Sequence, residues 1–115
     1  LGPDQSLWIP EFNTGYLTRF DPETAQFERF ALGDSAMGAY DVEVDSSSGT
    51  VWVTGSLDSS LLRFDPDTAA VLRIPLPTEP AYMRHLAVDP ASGDVWTAYS
   101  SLPAAKPKLV RVTLD

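Results

Sequence analysis

There is no cysteine in this sequence and only one histidine, His85. The first absence excludes a disulfide framework, a thiolate metal site and a cysteine nucleophile. The second excludes a multi-histidine zinc site and leaves at most one imidazole base. Positive charge is scarce as well. Eight Lys and Arg face 16 Asp and Glu, a net charge of -8, the wrong sign for nucleic acid or an anionic bilayer. No stretch nears the ~20 apolar residues of a membrane helix, and the first residues have neither the basic nor the apolar region of a secretion signal. The expected partner is a small-molecule or peptide-like ligand, or another protein, with neither nucleic acid nor membrane. What is present, 43% hydrophobic residues in a chain of 115, is a folding composition with material for one core.

The sequence repeats itself. Trp8, Trp52 and Trp96 stand 44 residues apart, and Arg19-Phe20-Asp21-Pro22-Glu23-Thr24-Ala25 returns at the same offset as Arg63-Phe64-Asp65-Pro66-Asp67-Thr68-Ala69. Arg29, Phe30 and Leu32 find Arg73, Ile74 and Leu76. Val42, Val44, Asp45 and Gly49 find Leu86, Val88, Asp89 and Gly93. The third copy carries an insertion around Pro103 to Pro107, because Arg63 meets its counterpart, Arg111, 48 positions on.

Inside a repeat the periodicity is two. Tyr40, Val42 and Val44 alternate with Asp41, Glu43 and Asp45, which predicts a strand with one buried and one polar face. A Ser-Ser-Ser-Gly turn leads to a second strand at residues 50–54, rich in β-branched and aromatic side chains. A third strand over 61–64 ends in Asp65-Pro66-Asp67-Thr68, whose proline and side-chain oxygens suit a turn. The fourth, over 70–75, has prolines near its end that suit an exposed edge. Four short antiparallel strands every 44 residues predict an all-β fold built from β-propeller blades. The tryptophan column is expected to pack each blade on the next. Asp41, Glu43 and Asp45 are expected as one solvated stripe, and His85 as a structural or surface residue.

Counted by strand, residues 1–33 form a blade without its first strand, 34–77 a complete blade and 78–115 a blade without its last. About two and a half blades do not close a ring, which needs at least four, or roughly 180 residues at this period. The chain begins mid-blade and on Leu1 instead of methionine, so the expectation is a piece of a longer propeller. The alternative is self-association through the open end blades.

The segments Ser6-Leu7-Trp8-Ile9-Pro10-Glu11-Phe12, Leu61-Leu62-Arg63-Phe64-Asp65-Pro66-Asp67-Thr68 and Leu72-Arg73-Ile74-Pro75-Leu76-Pro77 resemble the repeats of the virginiamycin B lyase, or streptogramin B lyase, family. The resemblance implies a seven-bladed funnel and Mg2+-assisted elimination across an ester carbon–oxygen bond of a macrocyclic depsipeptide. It implies a histidine base and metal-binding histidine and glutamate side chains on the central upper face. It also leans the compartment toward export from a bacterium, periplasmic or secreted. In the glutamate column stand Glu11, Gly55 and Tyr99; in the histidine column stand Tyr40 and Arg84, and His85 lies one residue past it. Only Glu11 keeps the family identity, so it is the candidate metal ligand and catalytic carboxylate. Arg84 with Tyr40, Tyr82 and Tyr99 is the candidate ligand-binding set, an arginine fork among flat phenol faces. The rival function is a non-catalytic interaction or scaffold propeller.

Overall fold

The computed structural model describes residues 1–99 and 106–114, so most of the insertion expected around Pro103 to Pro107 lies outside the described residues. Ten strands follow one another: β1 Leu7–Glu11, β2 Tyr16–Asp21, β3 Gln26–Ala31, β4 Ala39–Val44, β5 Val51–Gly55, β6 Ser60–Phe64, β7 Val71–Pro75, β8 Met83–Val88, β9 Val95–Tyr99 and β10 Lys108–Val112. They make three antiparallel meanders, β1-β2-β3, β4-β5-β6-β7 and β8-β9-β10. Among the described residues the sole helical feature is a 3-10 turn, Ser35–Met37, capped by Asp34. This is the sheet architecture of a partial β-propeller.

Turn chemistry sets the hairpins. Asp21 Oδ1 accepts from the Glu23 amide at 2.8 Å and Asp65 Oδ1 from the Asp67 amide at 2.9 Å. In both turns the chain then passes through a left-handed residue, Ala25 and Ala69, before the next strand. Asp45 does the same work between β4 and β5. It accepts from the Ser47 amide and from the Ser47 and Ser48 hydroxyls, and Gly49 at φ 74° supplies the left-handed step. The expected stripe of Asp41, Glu43 and Asp45 therefore does not exist. Asp45 is buried in its turn, and Asp41 accepts from the Leu86 amide of the next sheet at 2.9 Å. Only Glu43 is exposed.

Apolar burial divides between two seams, where the length suggested one core. Leu17, Met37, Val51, Val53, Leu62 and Phe64 fill the first, between the first and second sheets. Trp52, Leu61, Met83, Leu86, Val95 and Tyr99 fill the second, between the second and third. A sheet covered on both faces buries both phases of its alternation, so every residue of β5 is buried. The outer strand β7 keeps Leu72, Arg73 and Pro75 exposed, as its prolines predict.

The tryptophans behave as inter-blade packing predicts. Trp8 meets Phe64 of the second sheet edge-on at 5.7 Å, and Trp52, 1% exposed, lies in the second seam. Trp96, which has no further sheet over it among the described residues, is 36% exposed. Each tryptophan faces an arginine across the ladder: Trp8 with Arg19, Trp52 with Arg63, Trp96 with Arg111.

Both β4 and β8 begin with a bulge. Ala39 pairs with Gly55 and Val42 with Val53, three residues advanced against two. Met83 pairs with Tyr99 and Leu86 with Thr97 in the same way. The extra residue breaks strict alternation, so Tyr40 leaves the face of Val42 and Val44 and stands exposed.

Candidate functional site

The β5–β6 loop and the segment leading into β8 enclose an open cleft of about 400 Å³ between the second and third sheets. Ser56, Leu57, Ser59, Ala81, Tyr82 and Arg84 line it, with Pro80 at one side. Hydrogen bonds between serine hydroxyls and the backbone hold its walls. The Ala81 amide donates to Ser59 Oγ at 2.8 Å, and the Ser56 hydroxyl donates to the Met83 carbonyl. Arg84 is exposed, its guanidinium carbon 5.8 Å from the centre of the Tyr82 ring. The cleft thus combines an arginine fork, an aromatic face and an apolar floor, suited to an amphiphilic ligand with a carbonyl or carboxylate oxygen.

Two of the four expected ligand-binding residues, Tyr82 and Arg84, meet there. The other two do not. Tyr40 stands at the seam of the first and second sheets, edge-on to Phe12 at 6.0 Å. Tyr99 is 3% exposed inside the second seam, and its buried Oη has no hydrogen-bond partner among the described residues. The β8 bulge carries His85 outward instead of into the cleft. Its ring is 83% exposed, with Nδ1 3.6 Å from Asp41 Oδ2.

Glu11, the candidate metal ligand, ends β1 in a crowded set of donors. Arg29 of β3 reaches back across β2 and donates to both oxygens, Nε to Oε1 at 2.8 Å and Nη2 to Oε2 at 2.7 Å. Thr18 donates to Oε1 at 2.6 Å and Thr14 to Oε2 at 2.7 Å. The Arg29 hydrogen bonds first, then those from Thr18 and Thr14, hold the carboxyl far below the usual range, at about 2. Such a group is a poor proton acceptor, and a cation at it must compete with a bidentate guanidinium. Among the described residues no three His, Cys, Asp or Glu side chains cluster as a metal site. Glu11 and its neighbours do not fit a magnesium cage by themselves.

The second sheet explains what Glu11 does. Gly55 occupies the aligned position, and a Cβ there would lie against Asp58 Oδ1 and 2.6 Å from Ser60 Oγ. Asp58 fills that space and accepts from Arg73 Nε at 3.1 Å, and Arg73 is the counterpart of Arg29. The rim ion pair recurs with its carboxylate moved three residues along the chain. Column by column comparison hides this exchange; the repeated arginine is the signal that reveals it.

No family model matches the chain, and no curated protein matches it. Among solved structures it is similar to selenomethionine-substituted virginiamycin B lyase from Staphylococcus aureus, with a TM-score of 0.73 and 14% identity over 96% of this chain and 38% of that one. It is also similar to a catalytically inactive variant of virginiamycin B lyase from Staphylococcus aureus with quinupristin, with a TM-score of 0.72 and 14% identity over 95% of this chain and 38% of that one. The chain spans well under half the length of those proteins. By its arrangement of sheets, the chain has a virginiamycin-B-lyase-like propeller fold.

Proposed function

We propose that this chain is a segment of a virginiamycin-B-lyase-like propeller that binds a small-molecule or peptide-like ligand in the cleft at Tyr82 and Arg84. The observation that carries this is the cleft's composition at a seam between blades. About 400 Å³ lies within the span of small-molecule sites, and its one cation faces solvent over a tyrosine ring. Arg84 would hold an ester carbonyl or carboxylate, Tyr82 and Leu57 would cover the apolar part, and the hydroxyls of Ser56 and Ser59 belong to the wall. Carbon–oxygen lyase chemistry in the longer protein requires a base that Tyr40 and Arg84 do not supply, and Glu11 is bound to Arg29. Magnesium is the cation that the similarity to the lyases brings forward, and its ligands would have to extend beyond Glu11.

Calorimetric titration tests both parts. Quinupristin, the ligand named with one of the similar structures, should bind the wild-type chain, and Arg84→Ala should weaken it about tenfold, the loss of one charged hydrogen bond. Equal heats from wild type and Arg84→Ala would remove the cleft from consideration. Magnesium titrated into the longer propeller, as wild type and as Glu11→Ala, is the second arm, because Glu11 by itself does not make the site. Negligible heat from both would favour the non-catalytic interaction propeller.

A further inference from the structure

The three cross-strand tryptophan and arginine pairs are an internal comparison, and one of them is incomplete. In the first sheet Arg19 Nε donates to Ser6 Oγ at 3.0 Å and its Nη2 to Asp4 Oδ2. In the third, Arg111 Nε donates to Asp94 Oδ2 at 2.8 Å, and Nη2 donates to the same oxygen. Both guanidinium groups lie over the tryptophan of their own pair, at 5.9 and 5.5 Å. In the second sheet the positions aligned with Asp4 and Asp94 are Ser48 and Thr50, and no carboxylate stands there. Arg63 has no salt bridge among the described residues, and its Nε is buried without an acceptor. An orphaned guanidinium N–H costs free energy that the other two repeats avoid.

Open space borders the Arg63 side chain on two sides. A cleft of about 320 Å³ borders Asp45, Ser48, Thr50, Trp52 and Arg63, and one of about 480 Å³ borders Trp8, Ser48, Thr50, Arg63 and Asp65 on the other side. Both lie at the start of β5, the opposite end of that strand from the Tyr82 cleft. From these contacts we propose that Arg63, with the Thr50 hydroxyl beside it, is a binding site for the carboxylate of a small molecule, taking the place that Asp94 fills in the third repeat; the Ser48 hydroxyl is already donated to Asp45.

Neighbouring charge narrows the ligand class. Asp4, Asp45, Asp65 and Asp67 border the two clefts. Asp45 is turned to Ser47 and Ser48, Asp65 to the Asp67 and Thr68 amides, and Asp4 to Arg19 and the Ser6 amide. Their field opposes any anion, and opposes a phosphate, with roughly twice the charge near neutral pH, more than a monocarboxylate. The site is therefore weak and selects for a single negative charge.

The test is an NMR titration of the 115-residue chain with sodium acetate, sodium chloride and inorganic phosphate at matched ionic strength, read at the Arg63 Nε–H and Trp52 indole resonances. Acetate should move both saturably while the Arg19 and Arg111 signals stay in place, and chloride should not. Thr50→Asp supplies the carboxylate from within the chain, at a position as buried as Asp94, each being 7% exposed. It should weaken acetate binding about tenfold or more, by occupying the charged hydrogen-bond donors. Arg63→Gln should abolish the response; should that variant fail to fold, Thr50→Asp still decides. Arg63 signals that ignore acetate, respond alike to acetate and chloride, respond as strongly to phosphate, or keep their acetate response in Thr50→Asp would each overturn the assignment.

Discussion

Trp52 and Trp96 occupy the same place in successive repeats, each face an arginine across the ladder, Arg63 and Arg111, and meet opposite fates. The first is 1% exposed and the second 36%. Nothing in either sheet's own strands accounts for that difference; the third sheet lies over Trp52, and among the described residues no sheet lies over Trp96. In this fold burial belongs to the seam between sheets, while hairpin geometry belongs to the sheet itself. The amide hydrogen bonds of the Asp-Pro turns confirm the second half, because the aspartate accepts from the corresponding two amides in the first sheet, at one end, and in the second, in the middle.

The largest expected effect breaks the symmetry of the tryptophan column. Trp52→Ala should destabilise the chain by about 3–5 kcal/mol, the range for a fully buried aromatic, and Trp96→Ala by about 1 kcal/mol or less. Urea denaturation of the two variants measures both; equal losses would mean that the seams do not set burial energetics. A smaller effect is read against pH. The Glu11 carboxyl sits at about 2 in the folded chain against an ordinary 4.5, so its charged form is favoured by folding. Its contribution is complete above about pH 4.5 and disappears as pH falls through about 2. Stability curves of wild type and Glu11→Gln should be farthest apart near neutrality and converge in acid. A gap that does not change with pH would show that the pairing with Arg29 contributes nothing through ionisation. The smallest effect is local and should be indifferent to position. Ala25 and Ala69 adopt φ 56° and 57°, so Ala25→Gly and Ala69→Gly should each stabilise by about 0.5–1 kcal/mol, the left-handed penalty less the entropy of glycine. Thermal midpoints that rise in one turn and not the other would show that the seams reach into the turns.

Much of the fold was legible because its signals are local. Period two, Asp-Pro turns and a 44-residue offset specify strands, hairpins and blades without knowledge of the neighbours. The division of the core into two seams was not, since length bounds the amount of apolar burial and not its partition. The bulges of β4 and β8 were illegible too: one extra residue leaves no compositional mark, and it defeats the alternation that assigned Tyr40 to the buried face. At the site, Tyr82 and Arg84 could be grouped because both precede or begin the same strand. Tyr99 does not join that group but lies in the second seam, because a residue at a strand's end points to the core or the rim according to a register that sequence does not fix. Glu11 was singled out for its identity, while its partners, Arg29 two strands away and Thr18 on the strand between, emerge only once the sheet is assembled.

The bulges have one more consequence. At Tyr40 and Asp41 in one blade, and Arg84 and His85 in the next, the ladder accommodates an additional residue without losing its pairs on either side. Two neighbouring positions per blade are thereby decoupled from hydrogen-bonding register and from the apolar interior alike. A phenol and a carboxylate fill them in one case, a guanidinium and an imidazole in the other. At the exposed members, Tyr40, Arg84 and His85, new chemistry can be installed on an unaltered frame, whereas Asp41 is tied to the next sheet through the Leu86 amide.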